Sequence, residues 1–354
     1  MEDARIFIKG NEAVAYGAMD AGCRCYFGYP ITPQNEIPEF MSKALPQAGG
    51  AFVQAESEVA AANMLLGAAA TGIRSMTSSS SPGVSLMQEA ISYMAGSDIP
   101  GVLVNMTRGG PGLGDINPSQ ADYFQAVKGG GHGDYRTLVL APSTCQEAYD
   151  LTRQAFDLAF AYRNPVLVLG DAILGQMKEP VRRAEPRAKD PAEAGQWRLD
   201  GAKGREQRIL KSLFLADGAL AAHNLRLMEK YQAMRAETRA EAWDTDDAKL
   251  VVVAFGSIAR IVKTAVRALR ARGLKVGLFR PITLFPFPEH DLRELAKAGK
   301  AFLTIEHNMG QMVEDVRLAV CGLADSDFYP ALPGNIPTPD EFEAAILKSL
   351  EGRA

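Results

Sequence analysis

Three short runs with hardly a polar residue, Gly101-Val-Leu-Val-Asn-Met106, Thr137-Leu-Val-Leu-Ala141 and Pro165-Val-Leu-Val-Leu-Gly170, restrict this chain to a narrow set of folds. None alternates polar with apolar, so each reads as a strand covered on both faces. The segment from Ser143 to about Tyr162 lies between two of them with helical amphipathic spacing, and Ser143 or Thr144 serves as its cap. The same order runs upstream. Arg5-Ile-Phe-Ile is a strand ending at Gly10, and Asn11 is expected to cap a helix carrying Val14, Gly17, Ala18 and Ala21. Cys25 to Phe27 is a second strand, Ile37 to Ala44 a helix, Ile73 to Thr77 a strand, and Val84 to Ala95 a helix. Strand and helix alternating in this way predict an α/β fold, a parallel sheet with helices on both faces and functional loops at the carboxyl ends of its strands.

Phe52 to Gly72 tightens that reading. A short strand meets Ala55 to Glu58, and a segment dominated by alanine then continues through Ala70 with Asn63 as its polar member. A helix apolar on every face has to be covered on every face, within a domain or under a partner chain. Glu56 and Glu58 stand at its entrance. Carboxylates there are favoured by the helix dipole and its free N–H groups, which is a sufficient structural reason for both. Glu58 is followed by Val59 and three alanines, however, and a carboxyl group held among apolar side chains is also a candidate proton handler.

Four loops follow strands and are expected to converge on one edge: Tyr29 to Pro33, Ala55 to Glu58, Ser78 to Gly83, and the glycine-rich Thr107 to Asp115. Neither Gly-x-Gly-x-x-Gly nor a Walker-type phosphate loop is present, and Gly109-Gly-Pro-Gly-Leu-Gly114 has the wrong spacing for a dinucleotide turn. The serine run Ser78 to Ser81 reads as an anion cradle or, more simply, a polar turn. Arg108, just past a buried strand, offers a bidentate guanidinium for a carboxylate, although a structural pair with Asp115 or Asp122 gives the same sequence.

The 354 residues, 47% hydrophobic with a net charge of −4, suffice for two domains and show no basic stripe for nucleic acid. No apolar run is long enough to span a bilayer, and Met1-Glu-Asp-Ala-Arg lacks the order of a signal peptide, so the cytoplasm is the expected location. Cys23, Cys25, Cys145 and Cys321 match no zinc or iron–sulfur spacing, and His132, His223, His290 and His307 provide no ligand pair, so no metal is expected on this chain. The pattern changes from Met177 to Lys249, with prolines, charges and one long polar helix. The expected division is an α/β domain over residues 1–190, a helical connection over 191–248, and a smaller α/β domain over 249–354 with a proline-rich tail and a last helix capped by Asp340.

Tyr29-Pro-Ile-Thr-Pro33, Glu58-Val-Ala-Ala-Ala62, Thr77-Ser-Ser-Ser-Ser-Pro-Gly83, Arg108-Gly-Gly-Pro-Gly112 and Gln120-Ala-Asp-Tyr-Phe-Gln-Ala-Val-Lys-Gly129 together resemble the alpha subunit of 2-oxoacid:ferredoxin oxidoreductases. These enzymes depend on thiamine diphosphate. Gly129-Gly-Gly-His-Gly-Asp-Tyr135 looks most like the branched-chain, 2-oxoisovalerate type, and the 2-oxoglutarate type is the alternative. The second domain resembles the family more thinly, through Arg280-Pro-Ile-Thr-Leu-Phe-Pro286 and Glu306-His-Asn-Met-Gly-Gln-Met312. The resemblance implies a pyrimidine-binding first domain and a transketolase C-terminal-like second one. It further implies coenzyme A-dependent oxidative decarboxylation of a 2-oxoacid with reduction of ferredoxin. Glu58 then matches the glutamate that hydrogen-bonds the aminopyrimidine and activates the cofactor, Pro30 a residue against the pyrimidine ring, and Thr32 and Arg108 the residues that hold the substrate carboxylate.

The other half of such a site needs Gly-Asp-Gly and an asparagine to hold magnesium and diphosphate. Gly114-Asp-Ile, Gly133-Asp-Tyr and Gly170-Asp-Ala do not fit that pattern. The resemblance therefore implies a beta subunit that holds the diphosphate and magnesium, iron–sulfur clusters on partner subunits, gamma and ferredoxin-like delta subunits, and ferredoxin as acceptor. Two rival readings remain: a non-catalytic scaffold that keeps the fold, and an independent α/β enzyme acting on a phosphorylated small molecule.

Overall fold

The structure, a computed structural model, describes residues 5–187 and 192–353; the first residues of the chain and the expected domain boundary at 190 and 191 lie outside the described residues. Strand β1 (Arg5–Lys9) leads into α1 (Gly10–Asp20), and α1 into β2 (Cys25–Gly28) and α2 (Glu36–Gln47). Next come β3 (Ala51–Gln54), α3 (Glu58–Ala70), β4 (Ser75–Ser79), α4 (Ser81–Gly96), β5 (Gly101–Thr107) and the short α5 (Tyr123–Lys128). The first unit continues through β6 (Leu138–Leu140), α6 (Cys145–Tyr162), β7 (Pro165–Asp171), α7 (Ala172–Gln176) and β8 (Lys178–Arg182).

Six of these strands pair in parallel in the order β6-β7-β5-β4-β2-β3. Every residue of β5 and β7 is buried, in keeping with their unbroken apolar runs. One face packs α1, α2 and α6 around Val14, Met41, Phe156 and Val104; the other packs α3 and α4 around Leu65, Met87, Met94 and Leu103. The first strand of the chain stands outside this sheet, pairing antiparallel with β8.

The second unit contains α8 (Ala219–Ala233), β9 (Ala240–Trp243), β10 (Leu250–Val253), α9 (Gly256–Ala271), β11 (Val276–Pro281) and β12 (Thr283–Phe285). It ends with α10 (Glu289–Lys297), β13 (Ala301–Glu306), α11 (Met312–Val320), β14 (Ser326–Pro330) and α12 (Pro339–Glu351). Its sheet runs β14-β13-β10-β11-β9, with β9 antiparallel, while β12 crosses over to close the edge of the first sheet against β6. The connection expected over 191–248 is thus not helical throughout, because β9 within it supplies a strand of the second sheet.

Several local expectations change. Asn11 is not the cap of α1: it is buried inside the helix, and Lys9 occupies the cap position. The Asn11 amide instead donates to Pro33 O at 2.8 Å and Glu36 Oε2 at 2.7 Å, anchoring the loop after β2. Ser78 to Gly83 is no loop either. Strand β4 runs to Ser79 and α4 begins at Ser81, with Pro82 tolerated in the first turn because its missing N–H has no helical partner there. Residues read as a proline-rich tail include the edge strand β14, where a terminal proline is tolerated. The cap of α12 is Thr338, which accepts the Glu341 N–H, rather than Asp340.

The apolar α3 is covered by α4, β2 and β4 on one side only. Val59 and Met64 stay 41% and 37% exposed, so this chain alone does not provide the all-round cover that its composition requires.

Two motifs of the second unit turn out to be the contacts between units. Gln120 donates to Phe255 O at 2.9 Å and accepts from His307 N at 3.2 Å, and Asn308 Nδ2 donates to Gln120 O at 2.9 Å. Arg280 makes a bidentate pair with Glu147 at 2.7 and 2.9 Å. Glu306 accepts the N–H groups of Gln311, Met312 and Val313 at the start of α11; burial nonetheless raises its carboxyl above the ordinary range.

Candidate active site

The carboxyl ends of β2, β4 and β5 lie side by side, and α3 starts just beyond the edge strand β3. Here the two glutamates separate. Ser57 is the cap of α3, its Oγ accepting the Ala60 N–H at 3.2 Å, so neither carboxylate is needed for that purpose. Glu56 is exposed, whereas Glu58 is 6% exposed and, among the described residues, accepts no hydrogen bond.

The Glu58 side chain rests against the first turn of α4. A Cβ placed on Gly83 would lie 2.6 Å from Glu58 Oε1 and 2.1 Å from Ser79 Oγ, so glycine is what admits the carboxylate. Thr77, Ser79 and Ser80 are all fully buried, and their hydroxyls have no partner among the described residues. Buried hydroxyls without partners are costly, and they concentrate where a ligand completes the set. The backbone of the serine run is otherwise engaged: the Ser81 N–H donates to Asn105 and the Gly83 N–H to Ser80 O. Neither of these two N–H groups is free for an anion.

Arg108 lies 7% exposed at the end of β5. Its Nη1 donates to Thr32 O at 3.0 Å and its Nη2 to Leu113 O at 3.2 Å, while its Nε is buried without a partner. Neither aspartate expected as an alternative partner reaches it. Asp115 is held by Asn117 within the loop, and Asp122 accepts from Asn105 Nδ2 at 2.8 Å. Burial raises the Asp122 carboxyl, against the hydrogen bonds of Ser81 and Asn105. The guanidinium charge therefore has carbonyl dipoles around it and no carboxylate among the described residues, the arrangement of a site that receives an anion.

The loop of 107–115 folds back over Arg108. Gly114 has φ +61°, and a Cβ there would sit 1.7 Å from Gly109 O, so the turn requires glycine. Leu113 and Ile116 are left 80% and 61% exposed. Thr32 is exposed on the same loop as Pro30, also exposed, and that loop is held by Asn11, Gln34 and Arg108.

These residues fit one half of a thiamine diphosphate site: a carboxyl group that accepts no hydrogen bond among the described residues, the Ser79 hydroxyl near it, and an apolar rim open to a second surface. Asp171 is buried, with its oxygens taken by the Leu174 N–H and the Ser257 hydroxyl, and Asp115 is committed to Asn117. Among the described residues no cluster of three or more His, Cys, Asp or Glu is placed to hold a metal ion, and no helix is long and apolar enough to cross a membrane.

Residues 16–247 match the family described as pyruvate flavodoxin/ferredoxin oxidoreductase, thiamine diP-binding, and residues 248–342 match the core domain II of pyruvate:ferredoxin oxidoreductase. The chain belongs to the 2-oxoacid:ferredoxin oxidoreductase family. It is 52% identical to the ketoisovalerate oxidoreductase subunit VorB of Methanothermobacter marburgensis, over 93% of both chains. With the 2-oxoglutarate synthase subunit KorA of the same organism the identity is 38%, over 96% of this chain and 98% of that one. A solved 2-oxoglutarate:ferredoxin oxidoreductase from Magnetococcus marinus superposes with a TM-score of 0.86 at 27% identity; it covers 97% of this chain, which spans 65% of that one. The family is one of oxidoreductases, and its thiamine diphosphate-binding part is the part of this chain that carries Glu58, Pro30, Thr32 and Arg108.

Asn105 and the steric role of Gly83 escape a reading by motif chemistry, and Asp122 enters it only as a candidate partner of Arg108. The signal for Asn105 was one amide inside an otherwise apolar strand.

Proposed function

We propose that this chain is the alpha subunit of a heteromeric, coenzyme A-dependent 2-oxoacid:ferredoxin oxidoreductase acting in the cytoplasm on 2-oxoisovalerate or a related branched-chain 2-oxoacid. The observation that carries the proposal is Arg108, buried beside Thr32 without a carboxylate partner and joined through the first turn of α4 to the wall of Glu58. Residues 5–187 form the activating half-site in this reading, and the unit from β9 onward buttresses it through Gln120 and Arg280.

Bound thiamine diphosphate supplies the nucleophilic carbon and the electron sink that decarboxylation of a 2-oxoacid needs. Glu58 would hold the aminopyrimidine and handle its proton, with Pro30 against the ring. Arg108 would orient the substrate carboxylate by charge-assisted bonds, with Thr32 beside it. A beta subunit would bring magnesium and the diphosphate site, and cover Val59, Met64, Leu86 and Leu113, all exposed here. Iron–sulfur clusters on that chain or on a ferredoxin-like one would carry electrons to ferredoxin.

The greater identity to a ketoisovalerate oxidoreductase subunit, 52% against 38% for a 2-oxoglutarate one, supports the branched-chain substrate. So does the surface next to Arg108, where Leu113 and Ile116 suit an aliphatic side chain better than a second carboxylate. The 2-oxoacids are to be compared in the complex reconstituted with its partner subunits. We expect kcat/KM for 2-oxoisovalerate to exceed that for 2-oxoglutarate by about tenfold or more. A preference for 2-oxoglutarate, or no coenzyme A-dependent decarboxylation at all, rejects the proposal.

Two further outcomes follow from the half-site. Arg108→Met is expected to raise the KM for the 2-oxoacid about 10- to 100-fold, the loss of charge-assisted hydrogen bonds, with Arg108→Lys intermediate. Steady-state kinetics at saturating coenzyme A check this. Calorimetry on the isolated chain should show no tight, magnesium-dependent binding of thiamine diphosphate; strong binding would refute the split site.

A further inference from the structure

We propose that Asn105 is a positioning residue that keeps the two halves of the site in register, by tying the first turn of α4 to the start of the Arg108 loop. This inference rests on the function proposed above.

Asn105 is the polar residue in the core of β5, 1% exposed, three positions before Arg108. Both ends of its amide are used. Oδ1 accepts the Ser81 N–H at 3.0 Å, and Nδ2 donates to Asp122 Oδ2 at 2.8 Å. The first contact gives α4 what its own cap does not, because Ser80 makes no side-chain cap bond. Ser81 then reaches Arg108: its Oγ accepts the Arg108 N–H at 3.0 Å, and its hydroxyl hydrogen has the Arg108 carbonyl at 3.3 Å and Asp122 as acceptors.

Two residues along the same turn, Gly83 forms the wall against which Glu58 rests. A single turn, Ser81-Pro82-Gly83, thus bears on both functional groups, and Asn105 fixes that turn from below.

Only an amide performs both tasks. A leucine of similar size leaves the Ser81 N–H without its acceptor and takes from the Asp122 carboxylate its amide donor, and an aspartate sets two carboxylates against each other. Freed from Asn105, the turn can shift, and the Arg108 backbone shifts with it. The guanidinium then no longer meets the substrate carboxylate in the same geometry, and a displacement of this kind appears in KM for the 2-oxoacid.

The test uses the reconstituted complex and four variants: N105D, N105D/D122N, S81A and R108M. We expect N105D to raise the KM for the 2-oxoacid about tenfold while the KM for coenzyme A stays within about twofold. Exchanging the partners in N105D/D122N restores one donor and one acceptor between the two positions, and should return the 2-oxoacid KM to within about threefold of the parent. S81A, which removes only the hydroxyl, should raise the same KM. A purely structural role predicts something else, since partial unfolding lowers the number of active sites and the apparent kcat but leaves KM unchanged. Should N105D fail to fold, S81A still decides. An unchanged 2-oxoacid KM in S81A, or a double exchange that restores nothing, overturns the inference while a raised KM in R108M leaves the functional reading standing. An unchanged KM in R108M overturns the reading of Arg108 itself, and the inference with it.

Discussion

Replacing Glu58 by Gln is expected to lower kcat of the reconstituted complex by about 10²- to 10⁴-fold, with little change in its melting temperature. Glutamine has the same shape and fills the same space beside Gly83, but its amide cannot take up and release a proton as the carboxylate oxygens do. The structural cost should be small for a specific reason. Glu58 accepts no hydrogen bond among the described residues, so no partner is orphaned by the change, and a neutral amide is less costly than a charge to keep in a mostly buried side chain. A neutral amide there should leave stability level or slightly raised, the exchange of stability for function common at active sites. Glu56→Gln, at an exposed position two residues earlier, is the control and should retain full turnover. Near-normal turnover in Glu58→Gln would remove the central assignment. The thermal measurement has to accompany the kinetics, because loss of turnover together with loss of folding would say nothing about proton handling.

The strands of the first sheet were legible because burial on both faces leaves β5 and β7 almost without polar residues. Edges and connections were not. The short β9 and β14 lie at sheet edges with half-wet residues, so periodicity is weak there, and prolines masked β14 as tail. Ser78 to Gly83 looked like a loop because serine, proline and glycine mark turns in general; here the strand's own burial and the first-turn tolerance for Pro82 prevail over that preference. In the candidate site, residue type pointed to Arg108, but whether Asp115 or Asp122 neutralises it depends on contacts that spacing does not encode. Both aspartates turn out to be engaged by asparagines. The partners of Asn105 were hidden for the same reason, lying 24 residues back and 17 ahead. The alanine-rich helix was legible in composition and incomplete in outcome. Its exposed Val59 and Met64 are where this chain stops being able to bury its own surface.

Gly83→Ala is expected to cost about 10²-fold in kcat, the scale on which displacement of a catalytic group by about an ångström is felt. By secondary-structure preference the change should help, since alanine in a helix is favoured over glycine by about 1 kcal/mol. Sterics oppose it. The added methyl would stand 2.1 Å from Ser79 Oγ, 2.6 Å from Glu58 Oε1 and 2.8 Å from Glu58 Cγ, closer than any such contact survives. Overpacking of this sort costs about 1 to 3 kcal/mol, so the two effects largely offset and the melting temperature should move by only a few degrees. What yields is the less constrained neighbour. Ser79 belongs to a fully buried central strand, whereas the Glu58 carboxylate is held by no hydrogen bond among the described residues and is expected to rotate away. The signature is therefore a folded complex that binds its 2-oxoacid through Arg108 with nearly unchanged KM and turns it over slowly. Ser79→Ala combined with Gly83→Ala removes the closest contact and should recover part of kcat, while Ser79→Ala alone, losing a hydroxyl without a partner among the described residues, should leave the melting temperature nearly unchanged. Full turnover in Gly83→Ala would mean that the carboxylate does its work from some other position than the wall of α4, and the assignment of this turn as its support would be withdrawn.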